Sequence, residues 1–167
     1  GLTFKHARWP FPKWGFSGRQ GGTMYGGSGV VGEAILWNFA KSCSMTDCEI
    51  AHVGGCGISL LEGCVNNHLA GNHIHDISSN GINIGEDLSW IYEKTIIMEG
   101  RVFLRTLKTS EYGTPRNNRV TNNYIHGCGA DLYSGVGIYV AFTDRTIVAH
   151  NLLHDLPYTA ISVGMMW

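Results

Sequence analysis

Charge is scarce in this chain. Asp, Glu, Lys and Arg make up 15% of the 167 residues, and their signs nearly cancel to a formal net charge of −1. That balance excludes the basic surface on which nucleic-acid binding depends. Long apolar runs are missing too: none approaches 18 residues, so no helix is expected to cross a membrane. Prolines number four, and the five cysteines (Cys43, Cys48, Cys56, Cys64, Cys128) contain no CxxC pair. An odd count without paired spacing argues against a disulfide framework, and thiols acting as small core hydrophobes are expected instead. No signal-peptide pattern is visible. Glycine, by contrast, is abundant at 23 residues, which suits short strands and many turns. One domain spanning 1–167 is the natural organisation at this length.

What the chain does have is a repeat. MTDCEIAHV (45–53), LAGNHIHDI (69–77), VTNNYIHGC (120–128) and VAHNLLHDL (148–156) align without gaps. Each is followed by a Gly/Ala-Ile pair, at Gly57-Ile58, Gly81-Ile82, Gly137-Ile138 and Ala160-Ile161. Self-similarity of this kind is the signature of a solenoid. Within one unit Leu69, Asn72, Ile74 and Ile77 are expected to point inward, and Ile82 and Ile84 form a short apolar-x-apolar strand. Period-two strands joined by small-residue turns favour stacked parallel strands over helices. Asn72, Asn123 and Asn151 make a polar column, with Cys48 in that place in the first unit; stacked amides hydrogen-bond along the axis. These features resemble the right-handed parallel β-helix of pectate lyases and many carbohydrate-active enzymes. The expected fold is an all-β, right-handed, single-stranded parallel β-helix of about five coils with two long insertions. Strands at residues 1–4 and 161–164 imply uncapped coils, hence a piece of a longer chain or end-to-end pairing with another molecule.

Residues 5–33 read as a Gly- and aromatic-rich N-terminal loop. Its Trp9 and Trp14 either plate a sugar-binding surface or fold down as a lid over the open end of the helix. The second insertion, 87–118, makes its coil about 27 residues longer and reads as a hairpin of 91–97 and 101–107 around Glu99-Gly100. Five extra residues, 129–133, precede the matching strand of the next coil. Both excursions border one strand face, and long insertions on a rigid scaffold tend to carry function. Ser59, Asn83, Tyr139 and Ser162 stand outward on that candidate groove, one per coil. Glu62 and Glu86 occupy equivalent places 24 residues apart. Strands ~4.8 Å apart set two such carboxylates near the about 5–5.5 Å of a retaining glycosidase. Close like charges raise one pKa and separate acid from nucleophile; the competing reading is two exposed side chains that splay apart.

His75, His126 and His154 form a further column, with Asp76 and Asp155 beside two of them and His52 at the Asp position. Three histidines suit metal binding or general-base work. Rings ~4.8 Å apart in a ladder, however, do not converge at the about 2.0–2.1 Å that a metal requires. No metal or cofactor is therefore expected, and His68, His73 and His150 show no ligand spacing.

The segments IHDISSNGINIGE (74–86), PRNNRVTNNYIH (115–126) and LPYTAISVG (156–164), with Trp167, resemble the β-helix domain of bacterial secreted proteins similar to glycoside hydrolase family 141. The resemblance covers nearly the whole chain, although Ala160 stands where a glycine is expected. It implies a secreted or periplasmic bacterial protein acting on a plant or algal polysaccharide or oligosaccharide through acidic side chains on the helix surface. The expected catalytic carboxylates are Glu86 with either Glu62 or Asp131, and the expected sugar contacts are Asn83, Tyr139, Ser162, Trp9, Trp14 and Trp167. Two alternatives stay open. A polysaccharide lyase leans on Ca²⁺ held by carboxylates with an Arg or Lys base, and the groove strands offer no such cluster. A carbohydrate-binding or structural solenoid carries no chemistry at all.

Overall fold

The computed structural model describes residues 1–8, 31–85, 95–98, 101–104 and 113–164. The strands among them are β1 (Thr3–Lys5), β2 (Glu33–Trp37), β3 (Ser44–Thr46), β4 (Glu49–Val53), β5 (Cys56–Leu60), β6 (His68–Ala70), β7 (His73–Ile77), β8 (Ile82–Ile84), β9 (Thr95–Met98), β10 (Arg101–Leu104), β11 (Arg119–Thr121), β12 (Tyr124–Cys128), β13 (Ile138–Val140), β14 (Ile147–Ala149), β15 (Leu152–His154) and β16 (Ile161–Val163). Apart from the β9–β10 hairpin they fall into three parallel sheets: β14-β11-β6-β3, β1-β4-β7-β12-β15 and β16-β13-β8-β5-β2. Each coil visits the first, second and third sheet in that order, so β3–β4–β5 stacks on β6–β7–β8, then on β11–β12–β13 and β14–β15–β16. β1 and β2 add a rung to the second and third sheets. This is the stacked solenoid the repeat predicts.

Three apolar columns fill the interior, one from each sheet. Met45, Leu69, Val120 and Val148 are in register; so are Ile50, Ile74, Ile125 and Leu153, and Ile58, Ile82, Ile138 and Ile161. Ile50, Ile58, Ile74, Ile82, Ile125 and Ile138 are fully buried. Branched side chains suit the narrow space between pleated sheets, and burying each contributes about 1.5–3 kcal/mol. The column surfaces at the C-terminal coil: Ile161 and Val163 are 40% and 64% exposed, against 0% and 7% for Ile138 and Val140 one coil earlier.

Polar ladders hold the corners in register. Asn72 Oδ1 accepts from the Cys48 backbone N–H, and Asn123 Oδ1 accepts from both the Asn72 N–H and the Asn72 amide. Asn151 repeats the pattern toward Asn123. A second ladder, absent from the sequence reading, lies five residues upstream, where Asn118 Oδ1 takes the Asn67 N–H and amide and Asn67 Oδ1 takes the Cys43 N–H. Each coil bends at left-handed residues that also stack, such as His52, Asp76, Gly127 and Asp155 at φ 53°, 51°, 58° and 50°. Only Gly, or a short polar residue that bonds locally, holds that conformation cheaply.

The Gly column has a different cause. A Cβ on Gly81 would lie 2.7 Å from the Gly137 carbonyl oxygen and 3.0 Å from Cys128 Sγ, so the backbones of adjacent coils approach too closely for any side chain. Ala160 takes the equivalent place before β16 and is exposed.

The insertion forms the expected hairpin, with Met98 opposite Arg101 and Thr95 opposite Leu104, and its described strands are shorter than 91–97 and 101–107. β1 and β2 bring the first boundary to Lys5 and the second to Glu33. All five cysteines are free thiols; four are buried, as expected for core residues, while Cys43 is exposed. Burial pushes the Cys128 thiol up to about 12, which makes it inert.

Candidate functional sites on the second and third sheets

The outward column of the third sheet assembles in register as expected: Ser59 pairs with Asn83, Asn83 with Tyr139 and Tyr139 with Ser162. The column is buried, however, between 0% and 5% exposed along its length. It is a bonded network. Asn83 Nδ2 donates to Ser59 Oγ at 3.0 Å, Asn80 Nδ2 donates to Asn83 Oδ1 at 2.7 Å, and Asn80 Oδ1 accepts from the Val136 N–H at 2.8 Å.

Glu33, which the sequence reading left aside, sits at the upstream end of this network. It opens β2 opposite Cys56 and bonds toward Ser59. Burial raises its carboxyl above the ordinary value of 4.5, a shift that the Ser59 bond only partly offsets. Desolvation of this kind keeps a carboxylic acid protonated nearer neutrality. Glu33 also lines a small cleft with Ala7, Arg8, Gly32, Ala34, Val53 and Gly55. Val31, Cys56 and Leu132 form a buried apolar cluster at the same end. Asp131, next to Leu132, is exposed, and its carboxylate accepts the Ser78 hydroxyl. Glu33 thus pairs with one member of this cluster, Cys56, and Asp131 precedes another, Leu132, in the chain.

Glu62 is half-buried just beyond β5, and its carbonyl accepts the Phe39 N–H at 2.7 Å. It follows Cys56, the partner of Glu33, by six residues, up to about 20 Å along an extended strand. Glu62 thus lies at the opposite end of the third sheet from Glu33. Pairing of Leu60 with Ile84 carries the register toward Glu62 and Glu86, but Glu86 lies outside the described residues, as do Trp9, Trp14 and Trp167.

The second sheet gathers the histidines. His75, His126 and His154 are direct cross-strand neighbours, with ring centroids 5.2 and 5.0 Å apart and nearly parallel planes. His52 faces Asp76, Nδ1 to carboxylate oxygen at 3.6 Å. His75 Nδ1 lies 2.8 Å from an Asp76 carboxylate oxygen and Nε2 3.1 Å from one of Glu49, and Lys5 Nζ reaches Glu49 at 2.9 Å. The Lys5 and His75 bonds hold the Glu49 carboxyl down at about 2. Desolvation, reinforced by the neighbouring histidines, lowers His73 and His126 below the ordinary 6.5.

The vertical column keeps the ring spacing expected of a ladder, whereas the expectation that His73 shows no ligand spacing is corrected here. His73 stands opposite Tyr124, not opposite His126, yet its ring leans diagonally and brings Nε2 to within 2.9 Å of His126 Nε2. Diagonal partners two residues off the direct pair remain within reach of long side chains. His73 had been set aside because only the vertical column was considered.

The architecture defines a class: an all-β solenoid of parallel strands whose polar networks lie on the outer faces of the coils. The right-handed β-helix family model, described as a right handed beta helix region, matches residues 33–164, and the chain belongs to that family. A solved glycoside hydrolase superposes with a TM-score of 0.68 at 20% identity, over 79% of this chain and 21% of its own length. The chain thus spans about a fifth of that protein. No curated protein sequence matches this chain.

Proposed function

We propose that this β-helix is carbohydrate-active and hydrolyses glycosidic bonds of a polysaccharide, with Glu33 as proton donor. The observation that carries the proposal is the raised Glu33 carboxyl, set beside a buried polar network on the third sheet. Glycosidic cleavage needs a protonated acid for the leaving oxygen and a second carboxylate opposite. Glu33 gives its proton to the glycosidic oxygen as the C1–O bond breaks. Asp131, the neighbour of Leu132 in the Val31–Cys56–Leu132 cluster, then attacks C1 directly or deprotonates the water that does. The likeness in fold to a glycoside hydrolase supports the reaction class.

Glu62, beyond the end of β5, and Glu86, its equivalent 24 residues on in the sequence, form the second candidate pair. The test is product analysis on a panel of plant and algal polysaccharides. New reducing ends are expected. Absorbance of an unsaturated uronate would mean elimination instead, and neither product would leave binding alone. Glu33→Gln and Asp131→Asn should lower the rate at least about a hundredfold, the low end for general acid catalysis, with the fold intact by circular dichroism. Loss of activity in Glu62→Gln or Glu86→Gln, with Glu33→Gln still active, would move the chemistry to that second pair.

A further inference from the structure

We propose that His73, His75 and His126 form a binding site for one divalent transition-metal cation on the outer face of the second sheet. One ring nitrogen from each lies within 4.8 Å of the others. The tightest pair is already spaced for coordination. Bonds of about 2.0–2.1 Å put two nitrogens about 2.9 Å apart at a right angle and about 3.3 Å apart at the tetrahedral angle. His73 Nε2 and His126 Nε2 are 2.9 Å apart. A cation entering there replaces the proton that the two nitrogens share, and the displaced proton returns to the Nδ1 of its own ring or to solvent.

His75 supplies the third ligand and arrives with its orientation fixed. Its two nitrogens face Asp76 and Glu49, so whichever one binds the metal, the other keeps a carboxylate partner. An imidazole held from behind by a carboxylate is the arrangement that aligns histidine ligands at metal centres. Glu49 and Asp76 also set negative charge beside the cation, the first shared with Lys5. Three imidazoles select first-row ions such as Zn²⁺, Ni²⁺ or Cu²⁺ over Ca²⁺ or Mg²⁺, which prefer oxygen. The rings are partly buried on the outer face, and the remaining coordination positions fall to water. Because His73 and His75 belong to β7 and His126 to β12, the cation ties together the two coils that flank the long insertion.

Calorimetric titration of the untagged chain with ZnCl₂, NiCl₂ and CuSO₄ tests this directly. One saturable site per chain is expected. His73→Gln and His126→Gln should each weaken it at least about tenfold, while His154→Gln, one rung further along the column, should stay within about twofold. A long-range ¹H–¹⁵N spectrum of the wild type with Zn²⁺ needs no variant: the Nε2 signals of His73 and His126 should shift, and those of His150 should not. No saturable heat with any of the three ions would overturn the proposal. So would equal losses in His154→Gln, or unmoved Nε2 signals in the Zn²⁺ spectrum.

Discussion

Glu49 shows how much one residue's place in the stack decides. On β4 it meets Lys5 from the coil before and His75 from the coil after, and both favour its ionised form. A carboxyl depressed from 4.5 to about 2 stabilises the folded chain at pH values above its unfolded value, and the contribution is lost as pH falls through the folded one. The urea midpoint of Glu49→Gln should therefore lie below that of the wild type at pH 6, and the gap should close as the pH approaches 2. A gap unchanged across that range would mean that Glu49 is not bonded as described. Glu33 runs the other way. Its raised carboxyl penalises the folded state once the pH passes 4.5 and the group must ionise, so Glu33→Gln should unfold at a higher temperature than the wild type at pH 8 and show little difference at pH 4. Equal melting temperatures at both values would remove the desolvation argument. A gain in stability on removing the proposed proton donor is the expected trade between activity and stability.

Among elements, the coils are legible in the sequence because their columns repeat. The Asn72–Asn123–Asn151 ladder recurs at a fixed offset within each unit, and the Gly57–Gly81–Gly137 column does so once the five-residue insert 129–133 is set aside, so alignment of the units reveals the register before any coordinates. The Asn67–Asn118 ladder carries the same signal five residues earlier, but its immediate neighbours Asn66, His68, Asn117 and Arg119 are all polar and mark no apolar register. The third-sheet column was legible in register but not in burial, because exposure depends on what covers a face and not on its period. Glu33 was hidden for the same reason: only the surroundings of its carboxyl distinguish it from any acidic residue at a strand start. His73 was missed because vertical stacking ignores the diagonal lean of a ring.

Two glycines separate the physical causes. Gly81→Ala drives a Cβ to 2.7 Å from the Gly137 carbonyl oxygen and should cost about 1–3 kcal/mol by overpacking. Gly127→Asn keeps a left-handed conformation that Asp76 and Asp155 already adopt, with its Cβ 3.4 Å from the nearest atom, and should change stability by less than about 1 kcal/mol. Urea denaturation of the two variants checks the order, and a larger loss for Gly127→Asn would contradict it. Asn123→Ala leaves the buried Asn72 N–H without its acceptor, at about 1–3 kcal/mol per stranded group. Its m-value should match the wild type if the coils unfold as one unit.

At the scale of the molecule, a β-helix is a stack in which each coil contacts only its neighbours. Function then depends on which side chains adjacent coils bring together on the outer faces. The third sheet places Glu33, Ser59, Asn83 and Asn80 in one network, and the second sheet places the histidines beside Glu49 and Asp76. Hydrolysis through Glu33 predicts a rate that declines on the alkaline side as this acid loses its proton, with the midpoint of that limb above 4.5. The most direct measurement is a ¹³C-detected NMR titration of the Glu33 carboxyl in the free protein. A midpoint above 4.5, with Glu49 near 2 in the same experiment, is the expected result. A Glu33 midpoint at or below 4.5 would contradict its role as the proton donor.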